Sequence, residues 1–470
     1  MSQTHHQLIV IGSGPGGYVA AIRARQLGLS TLLIEKDPLF GGTCLHRGCI
    51  PTKALLHSAE MLEEMQHSDR LGIKLSAAPS LELEGLHEYR DSVVGKNARG
   101  VDHLLRKNGV DTVHGRGRLR SASEVEVLND EGSTVYTADH VLLATGSVPA
   151  EIPVAPSDGR LILTSDDALR MNRIPRNVAV LGGGAVGVEF ASIYRSFGAE
   201  VSLIELLPHL LPNEDVDVSV QLERSLRRRG IQLFLGSRLD GVEKRGDTVA
   251  LRLEGEEESS ILETECLLVA VGRKPVTSDL GLEALGVELD RGRVVVDSMM
   301  RTNVPGVYAI GDLVPTPWLA HVASAEGIVV AEHIAAKESG AEVHGVDYRH
   351  IPSCTYCRPE VASVGMTEAE AREQGYEVSV GTFPFQASGK AAILGSTEGF
   401  VKLVRESRYD EVLGVHIIGP HATDLIAEAC VALRLESTTE EIVRAVHAHP
   451  TLSEAVAEAA HAALGAAIHI

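Results

Sequence analysis

Cysteine is scarce in this chain: six in 470 residues, too few for a disulfide scaffold. Aromatic residues make up only 4% and tryptophan occurs once. No stretch approaches the ~20 consecutive apolar residues of a membrane span, so no membrane is expected. Positive charge is also short, with 43 Lys+Arg against 64 Asp+Glu. The formal charge of −21 repels a polyphosphate backbone, which argues against nucleic acid as a partner. The start, MSQTHHQLIVIGSG, has neither a basic region nor a small-residue cleavage site, and the expectation is a cytoplasmic protein without a targeting segment. In a reducing compartment a disulfide is more often transient and catalytic than structural. What remains is a globular composition, 44% hydrophobic and 23% charged. At 50.1 kDa the chain exceeds what one hydrophobic core supports, so several domains are expected.

Glycine is plentiful and ordered. The run LIVIGSGPGGYVAAIRARQLGLSTLLIEKD, residues 8 to 37, reads as an apolar strand, a Gly-x-Gly-x-x-Gly turn, a helix and a second strand ending in Glu35. The run VAVLGGGAVGVEFASIYRSFGAEVSLIELL, residues 178 to 207, repeats it: Gly12, Gly14, Gly17, Gly28 and Glu35 return 170 positions later as Gly182, Gly184, Gly187, Gly198 and Glu205. A lone glycine fingerprint is weak, but here each copy has its strand, its helix and an acid 23 residues on. The first glycine of each copy permits the tight turn, the second lets backbone approach a pyrophosphate, and the third lets helix pack on strand. The anion then sits at a helix N-terminus. Glu35 or Glu205 would accept ribose hydroxyls and repel a 2′-phosphate, which points to FAD or NAD and away from NADP.

Two buried runs, VLLATGSVP (141 to 149) and LLVAVGRKP (267 to 275), stand where each unit returns to its sheet, placing boundaries near 150 and 280. In VPGVYAIGDL a strand runs into Asp312, either a ligand acceptor or the N-cap of a helix starting near Trp318. From about 350 the pattern becomes α+β. The stretch GGTCLHRGCIPTK sets Cys44 and Cys49 five positions apart. They read as buried small hydrophobes, half of a metal site, or a pair that opens and closes as a disulfide. Residues five apart stand about 140° around a regular helix, so bridging them requires a distorted turn.

The ordered set GSGPGGYVAA, GGTCLHRGCIPTK, ATGS, GGGAVGVEF, VGRKP, AIGD, ASVGMTEAEA and HAHPTLSEA resembles the pyridine nucleotide-disulfide oxidoreductases over nearly the whole chain. It is most similar to their dihydrolipoyl-oxidising branch, the E3 flavoproteins of 2-oxo acid dehydrogenase complexes and glycine cleavage. The resemblance implies two Rossmann-like dinucleotide-binding domains, FAD at 1–150 and NAD at 151–280. It further implies a segment 281–350 completing the FAD domain and an α+β dimerisation domain at 351–470. Cys44 and Cys49 match the redox disulfide, Cys49 facing the flavin and Cys44 exchanging with dihydrolipoyl groups. His449 matches the base of thiol exchange and Glu454 the carboxylate orienting it, in an active site shared across a homodimer. Lys53 and Glu189 match a pair beside the flavin. Gly117, Thr145, Gly146, Ser147, Asp312, His321 and Gly272 are the remaining implied cofactor contacts. The implied macromolecular partners are lipoyl domains with their acyltransferase core, or a lipoylated H-protein.

Three places depart from the commoner pattern. His46 and Arg47 stand between the cysteines and either tune a thiolate or face water. Cys354 and Cys357 form a C-x-x-C, readable as a redox couple, half a zinc site, or two incidental thiols at a domain edge. Ala185 and Val186 replace larger residues after the second glycine pair. Cys266 and Cys430 read as core, and no metal is expected. Within the same scaffold, glutathione-type reductases usually take NADPH, against Glu205, and mercuric reductase has an added C-terminal cysteine pair, whereas Cys430 is the last cysteine here. A soluble transhydrogenase lacks the cysteine pair and the His–Glu pair. A docking or regulatory redox subunit is the reading from another class.

Overall fold

Strand His5–Ile11 is apolar on both sides because it lies in the middle of a parallel sheet covered on both faces: Leu8 and Val10 enter one hydrophobic cluster, Ile9 and Ile11 the other. It pairs in parallel with Thr31–Glu35 and with Gly132–Leu143. Asp111–His114 adds beyond the first and Val307–Ala309 beside the second. An antiparallel meander, Arg116–Ser121, Glu124–Asn129 and Gly132–Leu143, completes the seven strands. Helices Pro15–Gln26 and Ala320–Ser339 cross so closely that a Cβ on Gly327 would stand 2.5 Å from the Gly16 carbonyl oxygen. These elements form one compact unit, Met1–Ala54, Glu84–Ala150 and Arg273–Tyr348. The computed structural model describes residues 5–255 and 259–470, and the polar lead at 1–4, on which the targeting expectation rests in part, lies outside them.

The other unit comprises Leu55–Leu83, Glu151–Gly272 and Arg349–Ile470. Its first sheet repeats the pattern: Asn177–Leu181 lies parallel between Glu200–Ile204 and Cys266–Val269, flanked by Gln232–Phe234 and Ile162–Leu163. The apolar runs read as returning strands thus pair with the first strand of their own copy, as the duplication requires. An antiparallel meander, Arg238–Arg245, Thr248–Glu254 and Ser259–Thr264, also recurs. Residues from 353 on build a five-stranded antiparallel sheet backed by helices Ala422–Arg434 and Glu454–Ala463. In this sheet Lys402 is buried and its ammonium meets Asp215, Asp217 and Glu368 at 2.9, 2.6 and 3.0 Å. Among the described residues no helix is long and apolar enough to cross a membrane.

Candidate active site

The two glycine turns share one geometry. Gly12 and Gly182 have φ of 104° and 112°, and a Cβ on either would meet a carbonyl oxygen, Ala144 O at 2.3 Å or Ala270 O at 2.4 Å. A Cβ on Gly17 or Gly187 would stand 1.9 or 1.8 Å from the carbonyl oxygen of Gly12 or Gly182. Gly14 and Gly184, each at the N-terminus of a helix, would meet nothing within 4 Å, an open face for a pyrophosphate. The acids close the turns from the next strand. Glu35 accepts hydrogen bonds from the Ser13 amide at 2.8 Å, the Ser13 hydroxyl at 2.6 Å and the Asp37 amide at 2.8 Å. Glu205 accepts from the Gly183 amide at 2.5 Å and the Leu207 amide at 2.7 Å.

The cysteine loop is laid on the first of these turns. The Gly41 amide donates to the Ser13 carbonyl and hydroxyl oxygens, both at 3.1 Å. Gly42, at φ 61°, approaches so closely that its Cβ would lie 2.6 Å from Gly14 Cα. Cys44 then falls in a short helix, Gly42–His46, and Cys49 opens a separate one, Cys49–Gln66. The helix breaks at Arg47 (φ −141°) and Gly48, whose Cβ would come within 3.3 Å of Cys44 Cα. This break is the distortion that the five-residue spacing demanded, and it brings the two thiols into hydrogen-bond contact. That hydrogen bond, burial and a charge on Cys49 push the Cys44 thiol well above the ordinary cysteine value, with Lys53 opposing them one turn along the helix. Cys49 stands at the N-terminal end of an 18-residue helix, whose dipole favours an anion. His46 and Arg47 point elsewhere: the His46 ring Nε2 contacts the Phe40 carbonyl at 2.9 Å, and Arg47 pairs with Asp37 at 2.5 Å. They fasten the loop to the end of the second strand.

Nearby in the same unit, the Ser147 hydroxyl donates to Asp312, and Arg273 donates to the Ser147 hydroxyl at 2.7 Å and carbonyl at 2.8 Å. Asp312 sits in the 3-10 turn Gly311–Leu313, whereas helix Ala320–Ser339 is entered through Leu319, so Asp312 does not cap that helix. Thr145 donates to the Val276 carbonyl at 2.7 Å, and Gly146 (φ 69°) accepts from the Val276 amide at 2.9 Å. Gly117 packs against Ile11, leaving no room for a Cβ, which would lie 2.9 Å from it. His321 is exposed on the first turn of its helix. The sequence reading missed Glu326. Fully buried, it accepts from the Gly311 amide at 2.7 Å and the Tyr348 hydroxyl at 2.8 Å, and burial raises its carboxyl.

In the other unit Glu189 is buried and accepts from the Tyr356 amide at 3.0 Å, so it is no solvated helix charge. Tyr356 lies inside the C-x-x-C, and Arg358 just beyond it bonds Ser192 on the same helix as Glu189. Cys354 packs against the C-terminal core; Cys357 is buried, its thiol contacting the Pro359 carbonyl at 3.0 Å and pushed up by burial. No cluster of three or more His, Cys, Asp or Glu that could hold a metal occurs among the described residues. Cys266 is core, its thiol raised to about 12 by burial, and Cys430 is partly buried against the C-terminal cluster. Gly272 has φ 118° with open space at its Cβ, while of the departures after Gly184, Val186 is exposed. His449 contacts Glu454 through Nδ1 at 2.8 Å and exposes 79% of its side chain. Burial pulls the Glu454 carboxyl up, but the Thr451 amide at 2.8 Å and His449 outweigh it and hold it below the usual carboxylate range.

Residues 6–327 match the family model of the pyridine nucleotide-disulphide oxidoreductases, and residues 351–460 match that family's dimerisation domain. The chain belongs to this family. It is 42% identical to the dihydrolipoyl dehydrogenase of Bacillus subtilis over 99% of both chains. To the mitochondrial dihydrolipoyl dehydrogenase of Pisum sativum it is 43% identical over 99% of this chain and 93% of the relative. The fold is similar to that of LpdA from Mycobacterium tuberculosis, with a TM-score of 0.89 and 29% identity over 97% of this chain and 99% of that one. As in other pyridine nucleotide-disulphide oxidoreductases, the cofactors are FAD and NAD(H). The residues fit both: each cradle pairs an open glycine at a helix N-terminus with an acid fixed beneath it, and neither cradle leaves room for a larger residue at its first or third glycine.

Proposed function

We propose that this chain oxidises protein-bound dihydrolipoyl groups to lipoyl and reduces NAD+ to NADH, as the E3 component of a 2-oxo acid dehydrogenase complex or of glycine cleavage. The observation that carries the reading is the Cys44–Cys49 pair, seated on the first glycine turn and in mutual hydrogen-bond contact. In this reading residues 1–150 with 281–350 hold FAD, on Gly12, Gly14, Gly17, Glu35, Gly117, Thr145, Gly146, Ser147, Asp312 and His321. Residues 151–280 hold NAD, on Gly182, Gly184, Gly187, Glu205 and Gly272. Lys53 and Glu189 stand by the flavin, and residues 351–470 form the homodimer and present His449 to the partner's thiols.

His449 removes the proton from a dihydrolipoyl thiol, and Glu454 stabilises the resulting imidazolium. The thiolate attacks the sulfur of Cys44 in the oxidised pair; the new bond forms as the Cys44–Cys49 bond breaks, and Cys49 leaves as a thiolate at its helix end. His449 releases that proton to water and takes the proton of the second lipoyl thiol, whose sulfur closes the lipoyl disulfide as the bond to Cys44 breaks; Cys44 leaves and is protonated by His449. The raised Cys44 thiol suits that last step, since two adjacent thiolates are disfavoured. FAD, when bound, supplies the two-electron relay from the thiols to NAD+. Glu205 favours NAD+ over NADP+ because its carboxylate opposes a 2′-phosphate. The test is NADH formation from dihydrolipoamide by the purified protein, set against NADPH-linked reduction of glutathione disulfide. Activity in the second assay alone overturns the proposal.

A further inference from the structure

The HAHPTLSEA segment holds two histidines in opposite states of attachment. His449 has one ring nitrogen on Glu454 and the rest of the ring exposed. His447 has both nitrogens engaged: Nδ1 lies 2.9 Å from the Ala445 carbonyl oxygen and Nε2 2.7 Å from Glu428 Oε1, with only 10% of the side chain exposed. A carbonyl and a carboxylate both accept, and a neutral imidazole carries a single N–H. With a contact at each nitrogen, the ring of His447 is held in one orientation between helix and loop. Between Arg444 and Pro450 it is also the one side chain not exposed, with Val446 at 99%. Glu428 stands on helix Ala422–Arg434, which Ile426, Ala429 and Leu433 anchor in the C-terminal core, and the next anchor after the loop is Leu452 in the same core. The loop bearing His449 is therefore tied to its domain through His447 and Glu428.

We propose that His447 and Glu428 are positioning residues for His449, a hydrogen-bonded pair that sets where the base stands without touching substrate. This rests on the base role of His449 proposed above. The groups facing the pair are the Ala445 carbonyl and, through its charge, Glu454. The test uses the dimeric holoenzyme carrying His447→Gln, Glu428→Gln, His449→Gln or the double change His447→Gln with His449→Gln. Turnover of dihydrolipoamide is measured across pH, with NADH oxidation by ferricyanide and flavin content as controls that need no thiol base. The expected result is a roughly 10- to 100-fold fall in kcat for dihydrolipoamide in His447→Gln, the scale of a base misplaced by about 1 Å. The pH profile moves, both controls are kept, and the double variant is no worse than His449→Gln. His447→Lys, which keeps a hydrogen-bond donor toward Glu428, recovers part of the loss. Unchanged turnover in both single variants of the pair overturns the proposal, as does an equal fall in the ferricyanide reaction or in flavin content. Unchanged turnover in His449→Gln overturns instead the base assignment beneath it.

Discussion

The two nucleotide units agree down to the sixth residue after the acid and part there. The Gly41 amide bonds the Ser13 carbonyl and the Leu211 amide bonds the Gly183 carbonyl, at 3.1 and 2.9 Å, and both residues have positive φ. Beyond that point the first copy sends Gly42 onto Gly14 and enters the cysteine loop, while the second continues into Pro212 and Asn213. The first copy also has a hydroxyl, on Ser13, that bonds both its acid and the loop; the second has Gly183. Glu35 is buried as a result, whereas Glu205 is partly exposed. One cradle is thus tied to the cysteine loop, and the other leaves its acid partly open to water.

Alanine at the third glycine should break the comparison most severely. At both positions the added Cβ meets backbone that cannot give, at a cost of about 3 kcal/mol or more. Gly17→Ala is expected to yield flavin-free protein by absorbance, and Gly187→Ala flavin-loaded protein with a KM for NADH raised at least roughly tenfold. Flavin loss from the second variant would reverse the assignment of the cradles. Next comes Glu205→Ala, which removes a like charge worth ~1 to 4 kcal/mol at close range and lowers the NADH to NADPH preference by about tenfold or more. Glu35→Ala should leave that preference where it was, and steady-state assays with both nucleotides compare them. Ser13→Ala leaves a buried Glu35 oxygen short of one donor and should cost about 1 to 3 kcal/mol in denaturant unfolding. Smallest is Arg47→Val, which breaks a half-exposed ion pair worth about 0 to 1 kcal/mol. Since Arg47 faces Asp37, alkylation rates of Cys44 and Cys49 should not change, and a changed rate would show that Arg47 acts on the thiols.

Glycines and cysteines were legible in the sequence because each answers a local requirement: a positive φ, a close approach, a sulfur within reach of another. The distorted turn between Cys44 and Cys49 followed from helix geometry once the resemblance implied that the two sulfurs bridge. Polar partners brought together by the tertiary fold were not legible. Nothing in the sequence around Ser13, Glu326 or His447 marks the groups they bond. Their partners come from other elements, and only the packed structure shows that each is withdrawn from water with its contacts filled. The apolar alternation of Leu119, Val125 and Val127 is the sequence signal of the first meander. The direction of His46 and Arg47 could not be had that way, because it depends on where the preceding strand ends.

The most direct test of the account is the rate at which Cys49→Ser and Cys44→Ser holoenzymes form NADH from dihydrolipoamide. The account predicts a loss of roughly a thousandfold or more in each, since either change removes the redox disulfide, with flavin retained. Turnover at the parent rate in either variant would contradict it.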